Sequence, residues 1–265
     1  MHETTRRLFE EIHARYNHRM YLQSDPLRYV YRYDNPEDRE IVALLAALFA
    51  YGRVASIFQF LDRLLARLGP NPSETLRKKQ VRGSNLYYRF QTERDTERLL
   101  AVLGEWLKEK SFPVMVRPVF HDIYDAIDTL TEELTQSIPA SARTQGWKFL
   151  VGKPEVPSVA KRWCLFFRWM VRREPPDTGL YAMLRPDILI YPLDTHILRI
   201  ARWQSLTTRR TSTRQTAREI TASFRNLSQS DPLRYDFALT RPGILNDREL
   251  LIRLRHSPLE FQAAF

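Results

Sequence analysis

Two segments of the 265-residue chain hold side chains whose type and setting offer covalent or proton-transfer chemistry. The first runs from Val156 to Arg173. Ser158 suits the N-cap of a helix, and Trp163, Phe166, Phe167 and Met170 follow at i, i+3, i+4 and i+7, which makes one apolar face. Lys161, Arg168 and Arg172 are spaced so that they fall within about 20° of one line on a helix turning 100° per residue. This predicts a basic stripe beside the buried face. Lys161 stands in the first turn, where a cation opposes the helix dipole. It is either a solvated lysine or a nucleophilic amine. A nucleophile must be neutral, and moving a lysine from about 10.4 toward 7–8 takes roughly 3–5 kcal/mol. Desolvation by the neighbouring aromatic rings and repulsion from Arg162 and Arg168 would have to supply most of it.

The second segment runs from Ile188 to Trp203. Asp194 opens a helix that buries Ile197, Ile200 and Ala201, so its plainest role is an N-cap contributing about 1 kcal/mol. An aspartate at a helix start can also face a cleft, where it accepts a proton or stabilises a developing cation. Other chemistries lack their signatures. The histidines at 2, 13, 18, 121, 196 and 256 form no i,i+4 pair, no HExxH occurs, and Cys164 is the one cysteine, so neither a built-in metal nor another cofactor is expected. His196 is read as a structural or phosphate-facing residue. GxxxxGK[ST], GxGxxG and GxSxG are all missing, which removes the common nucleotide loops and the hydrolase elbow.

The elements that must position these residues read as helices. Only 8 glycines occur, and apolar residues recur at three- and four-residue intervals. After Asp38, the face of Ile41, Leu44, Leu45, Leu48 and Phe49 predicts one helix; Tyr51-Gly52-Arg53 interrupts it before a second through Phe58, Leu61, Leu64 and Leu65. Further helices are expected over 3–19, 95–109, 117–135, 158–173, 195–204, 213–225 and 247–255. The hexapeptide Ser-Asp-Pro-Leu-Arg-Tyr occurs at 24–29 and again at 230–235, which reads as a reused helix start with aspartate as cap and proline at the first helical position. Residues 137–158, rich in glycine and proline, are expected to form a loop at a seam or working surface.

Composition sets the class of partner. Lysine and arginine number 41 against 31 acidic residues, a formal charge of +10 with a pI near 9.9, while 43% hydrophobic and 12% aromatic content supports a real core. A polyanion, nucleic acid before a membrane surface, is the expected partner. A single cysteine excludes internal disulfides and suggests a reducing compartment. The N-terminus shows no signal-peptide pattern, and the apolar run from Ile41 to Tyr51 is well short of the roughly 20 residues of a bilayer span. A soluble cytoplasmic protein is expected.

The stretch Leu193-Asp194-Thr195-His196-Ile197-Leu198-Arg199-Ile200-Ala201-Arg202 resembles the V-D-T-H-V-x-R-V-x-x-R segment of the helix-hairpin-helix DNA glycosylases. In bifunctional members a catalytic lysine precedes that aspartate, and Lys161 is the upstream lysine that fits. The separation of 33 residues is wider than most of the superfamily uses and is similar to that of archaeal-type 8-oxoguanine DNA glycosylases. The whole chain is similar to a bacterial family without an assigned activity. That similarity is carried by Tyr-Arg-Tyr-Asp-Asn-Pro (31–36), Ala-Tyr-Gly-Arg-Val (50–54), Tyr-Tyr-Arg-Phe (87–90), Lys-Arg (161–162), Phe-Arg-Trp-Met-Val-Arg (167–172), Pro-Leu-Asp-Thr-His (192–196) and Tyr-Asp-Phe-Ala-Leu-Thr (235–240). Two features depart from the glycosylase pattern. The usual Leu-Pro-Gly-Val-Gly hairpin is replaced by Gly152-Lys153-Pro154-Glu155-Val156-Pro157-Ser158, and Tyr51-Gly52-Arg53 stands where glutamine and threonine commonly follow the early helix.

The resemblance implies an all-α, two-lobed helix-hairpin-helix glycosylase-like fold over residues 1–265, with the seam and hairpin within 137–160. It implies base-excision removal of an oxidised purine, 8-oxoguanine first, with AP-lyase activity through a Lys161 Schiff base assisted by Asp194. Trp147, Phe149 and Tyr51 are the candidates to stack on the base. Ser158, Arg168, Arg172, His196 and Arg199 are the candidate phosphate contacts. The expected partner is double-stranded DNA with a damaged base, bound by a nucleoid-associated monomer that needs no cofactor or membrane. Two other classes remain open: a non-catalytic module that binds lesion DNA or structured RNA, and a helical interaction protein with no nucleic-acid role.

Overall fold

The run Ile41 to Leu48 is apolar at every position, and a helix apolar on all sides has to be covered on all sides. A computed structural model of the chain describes residues 3–79, 81, 86–109, 122–153 and 158–256, and in it every residue of that run is buried. Helices α1 (Glu3–Tyr16), α2 (Pro36–Leu48), α3 (Val54–Leu68) and α4 (Pro72–Arg77) come first. They are followed by α5 (Glu93–Glu109), α6 (Ile123–Gln136), α7 (Gln145–Val151) and α8 (Lys161–Val171). The helices α9 (Thr195–Trp203), α10 (Arg214–Arg225), α11 (Asp236–Ile244) and α12 (Arg248–His256) close the described chain. No strand occurs among the described residues, where Tyr88 and Gln91 form an isolated bridge. The protein is all-α. No helix of the described residues is long and apolar enough to cross a membrane.

Two helices form the interior. α2 packs on α8, whose residues from Trp163 to Val171 are all buried except Leu165. α6 also contacts α8, and α11 lies between α1 and the pair α9 and α12. Caps explain where the central helix begins: Asn35 Oδ1 accepts from the amides of Glu37 at 2.9 Å and Asp38 at 3.4 Å, and Pro36 fills a position that needs no amide hydrogen. The helix therefore starts before Asp38, and the Asp38 carboxylate instead accepts from the Ser73 amide at 2.8 Å, tying α4 to α2.

Several expectations are revised. The segment 137–158 is largely helical through 153, with a 3-10 turn at Ala140–Ala142 and α7, which Thr144 caps through the Trp147 amide at 3.0 Å. Residues 154–157 of the expected hairpin, and 117–121 of the helix expected over 117–135, lie outside the described residues. Ser158 is not the cap of α8. The helix begins at Lys161 after Ala160, which sits in the left-handed region at φ +46°, and the Ser158 hydroxyl accepts from the Ala160 amide at 3.2 Å. The repeated hexapeptide also divides. Asp25 caps a 3-10 helix over Pro26–Arg32, whereas the second copy forms turns ahead of α11 and its Asp231 is occupied by Arg172.

Candidate functional site

Lys161 and Asp194, 33 residues apart in sequence, meet at the mouth of a cleft, with Lys161 Nζ 3.3 Å from Asp194 Oδ2. The two oxygens of Asp194 have different partners. Oδ1 caps α9 by accepting from the Ile197 amide at 2.9 Å, and Oδ2 is left for the lysine. Capping fixes the carboxylate's direction, since rotating Oδ2 away from the amine would cost the cap bond. The pair is neither surface nor core: the Lys161 side chain is 37% exposed and that of Asp194 19%.

The cleft has a volume of about 230 Å³. Its rim carries Ala50 and Gly52 from the α2–α3 turn, with Leu165, Pro192 and His196; its floor is made of charged side chains. Asp25, Arg168, Asp236 and Arg241 meet there. Arg168 donates to Asp236 Oδ2 at 2.6 Å and to Asp177 Oδ1 at 3.2 Å, while Arg241 donates to Asp25 Oδ2 at 3.1 Å. Asp236 is fully enclosed, and burial pushes its carboxyl up to about 6 against the opposing pull of Arg168. Its Oδ1 and the Nη2 of Arg168 are buried with no hydrogen-bond partner.

The expected basic stripe runs inward instead of along the surface. Arg168 is 3% exposed and Arg172 0%. Arg172 is held by Asp177, Asp231 and Glu174, the Nη2–Asp231 contact being 2.9 Å. α8 enters the core at its second turn, so the line that starts at Lys161 in the cleft continues into the interior, where each cation is matched by carboxylates. Both guanidinium groups are enclosed and committed to carboxylates, so the surface DNA-contact role expected of both is withdrawn. Trp147 is likewise 0% exposed and belongs to the core, not to a stacking surface.

The other two stacking candidates are brought together beside the cleft. Phe149 is 40% exposed and its ring lies 4.9 Å from that of half-buried Tyr51. Phe90, 56% exposed, joins them at 4.8 Å from Phe149 and near-parallel to Tyr51 at 6.3 Å. Two guanidinium groups interleave: Arg162 lies 5.1 Å from the Tyr51 centroid and 4.9 Å from that of Phe149, and Arg89 lies 5.3 Å from that of Phe90. Arg162, directly after Lys161, also donates to the carbonyls of Leu48, at 2.5 Å, and Phe149. Burial lowers its guanidinium to about 10. Phe90 and Arg89 were missed from sequence because a short aromatic cluster outside any helix has no periodicity to mark which ring faces the cleft side. The Tyr-Tyr-Arg-Phe string was the available signal.

Ser158 is exposed, with its carbonyl taken by Arg214 Nε at 2.8 Å. His196 lines the cleft, its Nδ1 3.5 Å from Arg199 Nη2, and Arg199 is exposed above the Trp203 ring. Gly243 lets His196 pack closely there: a Cβ on it would come within 2.4 Å of His196 Nδ1. Among the described residues no group of three or more His, Cys, Asp or Glu side chains is arranged to hold a metal ion.

Residues 25–245 match the model of a family described as "Protein of unknown function (DUF2400)". The matched span holds every residue of the cleft named above. No curated protein and no solved structure matches the chain. With most of its length inside the family model, the chain belongs to the DUF2400 family.

Proposed function

We propose that the protein is a base-excision DNA glycosylase with AP-lyase activity, acting on an oxidised purine, 8-oxoguanine first, through Lys161 and Asp194. This reading includes a two-lobed helix-hairpin-helix glycosylase-like architecture. The observation that carries it is the Lys161–Asp194 contact of 3.3 Å in a cleft, between the two residues that the sequence resemblance singles out.

The chemistry starts with a proton. The amine of Lys161 gives one to Asp194 Oδ2, whose position is held by the helix cap. The nitrogen lone pair then attacks C1′ of the extruded nucleotide; the glycosidic bond breaks, and the base leaves with the bonding pair and takes up a proton. Loss of the second amine proton opens the sugar ring, with O4′ protonated, and leaves a Schiff base. Removal of a C2′ proton expels the 3′ phosphate by β-elimination. Extruding the base costs a few kcal/mol of unstacking, which phosphate contacts and aromatic stacking offset. Tyr51, Phe90 and Phe149 form the aromatic cluster around Arg162, the residue next to Lys161, and are the rings offered to the base. His196 and Arg199 are the phosphate contacts retained from the sequence reading.

Release of the free base from an 8-oxoguanine duplex tests this directly. Lys161→Ala is expected to abolish release, and Asp194→Asn to reduce it strongly while keeping the α9 cap, since the amide oxygen still accepts from Ile197. Normal turnover by Lys161→Ala would overturn the assignment. Lesion-independent binding with no release would favour the non-catalytic module.

A further inference from the structure

Many arginines of this protein are matched by a carboxylate. In the stretches of chain that flank α9, Arg185 pairs with Asp187, Arg209 with Glu219, Arg214 with Asp128 and Arg218 with Asp122. Three arginines in the same region have no carboxylate partner among the described residues: Arg199, Arg202 and Arg210. All three are exposed, and all three line one open groove of about 640 Å³. The remaining polar lining consists of hydroxyls, from Thr195, Ser205, Thr207 and Thr208, with no acidic residue.

Unmatched like charges in one concavity repel each other and are held there at a cost that a bound anion removes. A cation near a helix C-terminus is favourable on its own, which accounts for Arg202 in the last turn of α9 but not for Arg199 or Arg210. The backbone adds a second, independent sign. α9 ends in a Schellman arrangement, with Leu206 N donating to Ala201 O at 2.7 Å and Ser205 N to Arg202 O at 3.2 Å. The left-handed position of that motif, normally glycine, is Ser205 at φ +54°. A serine there is strained and puts a hydroxyl into the groove, while the turn brings the chain back so that Arg210 faces the helix end.

The groove and the cleft are both lined by residues of α9. His196, Arg199 and Arg202 follow one another at three-residue intervals on α9, with about 4.5 Å of rise between each. Asp194, at the head of the same helix, holds Lys161.

We propose that the groove over Arg199, Arg202 and Arg210 binds the phosphate backbone of a nucleic acid, as a sequence-independent contact leading away from Lys161. This takes over the role that sequence assigned to Arg168 and Arg172. It rests on the nucleic-acid reading of the protein but not on base release.

The test is a salt titration of binding to an undamaged 20-base-pair duplex by fluorescence anisotropy, for the wild-type chain, Arg202→Gln/Arg210→Gln, and Arg202→Lys/Arg210→Lys. Each lost phosphate contact removes roughly 0.9 from the log–log salt slope, so the glutamine pair is expected to lower it by about 1.8. If the two proteins converge at 1 M salt, that slope difference is roughly a 60-fold weaker affinity at 0.1 M. The lysine pair keeps the slope. Because both residues are exposed, thermal melting of the variants is expected to match the wild type. An unchanged slope in the glutamine pair overturns the proposal. So does unaltered duplex affinity with loss of tripolyphosphate binding, which makes the groove a small-anion site. A reduced slope in a protein that releases no base upholds the groove and defeats the glycosylase reading alone; normal base release with an unchanged slope does the reverse.

Discussion

Replacing Arg168 by methionine separates a buried structural cation from a DNA contact. The side chain is 3% exposed, and it is the hydrogen-bond partner of Asp236, whose other oxygen has none. Methionine keeps the stem's volume and removes the charge. Asp177 still has Arg172, but Asp236 becomes a buried carboxylate without a counter-charge, a loss of about 3–5 kcal/mol at neutral pH. That is a large share of the roughly 5–15 kcal/mol that stabilises a typical domain. The loss depends on pH with a definite sign. In the wild type the folded carboxyl titrates near 6, above its ordinary value of 3.8. The folded state therefore binds the proton more tightly, and stability is complete below about 4 and declines until pH 6. Without Arg168 the carboxyl moves higher still and the decline continues past pH 6 at about 1.4 kcal/mol per unit. The destabilisation is thus expected to grow by roughly 2–3 kcal/mol between pH 5 and pH 8. Urea unfolding at both pH values, read by circular dichroism, measures it, and duplex binding under folded conditions supplies the control. A variant of wild-type stability that has lost about one unit of salt slope would refute the assignment and restore Arg168 as a phosphate contact.

Two further outcomes follow from the same physical chemistry. Glu40 is buried inside α2 with Tyr181 Oη as its partner, and burial pushes its carboxyl up to about 7. Wild-type stability should therefore fall as pH rises from 4.5 to 7, by about 3 kcal/mol from this group; Glu40→Gln should remove that slope in urea unfolding series, and an unchanged slope would count against it. Ser205→Gly relieves a left-handed serine at the end of α9 and should stabilise the protein by about 1 kcal/mol. Differential scanning calorimetry would show it, and a lower melting temperature would contradict the strain.

The helices were legible in sequence wherever their apolar face was one-sided. α9, α10 and α12 begin and end within a residue or so of the periodic pattern, because Ile197 with Ile200, Ile220 with Phe224, and Leu250 with Leu254 each mark a single buried stripe. α8 was harder. Its apolar residues occupy nearly the whole circumference, and periodicity cannot then say whether an arginine beside them faces water. The burial of Arg168 and Arg172 depends on Asp177, Asp231 and Asp236, which sequence places up to 68 residues away. The Lys161–Asp194 pair was legible through its motif, and the division of labour between the two Asp194 oxygens was not, since it requires the cap bond and the lysine in one frame. Arg202 and Arg210 escaped notice for a different reason: in a chain with 41 basic residues, what sets them apart is their convergence on one groove without an acidic residue, a property of the folded state.

The central claim is that the amine of Lys161 becomes covalently attached to the sugar. Borohydride reduction with duplexes carrying 8-oxoguanine, an abasic site or no lesion, followed by peptide mapping of the trapped protein, addresses it most directly. The account predicts a trapped species with the 8-oxoguanine and abasic duplexes and none with the undamaged one, mapping to the peptide containing Lys161 and lost in Lys161→Ala. A species that forms equally well in Lys161→Ala, or no trapped species on any duplex, would contradict it.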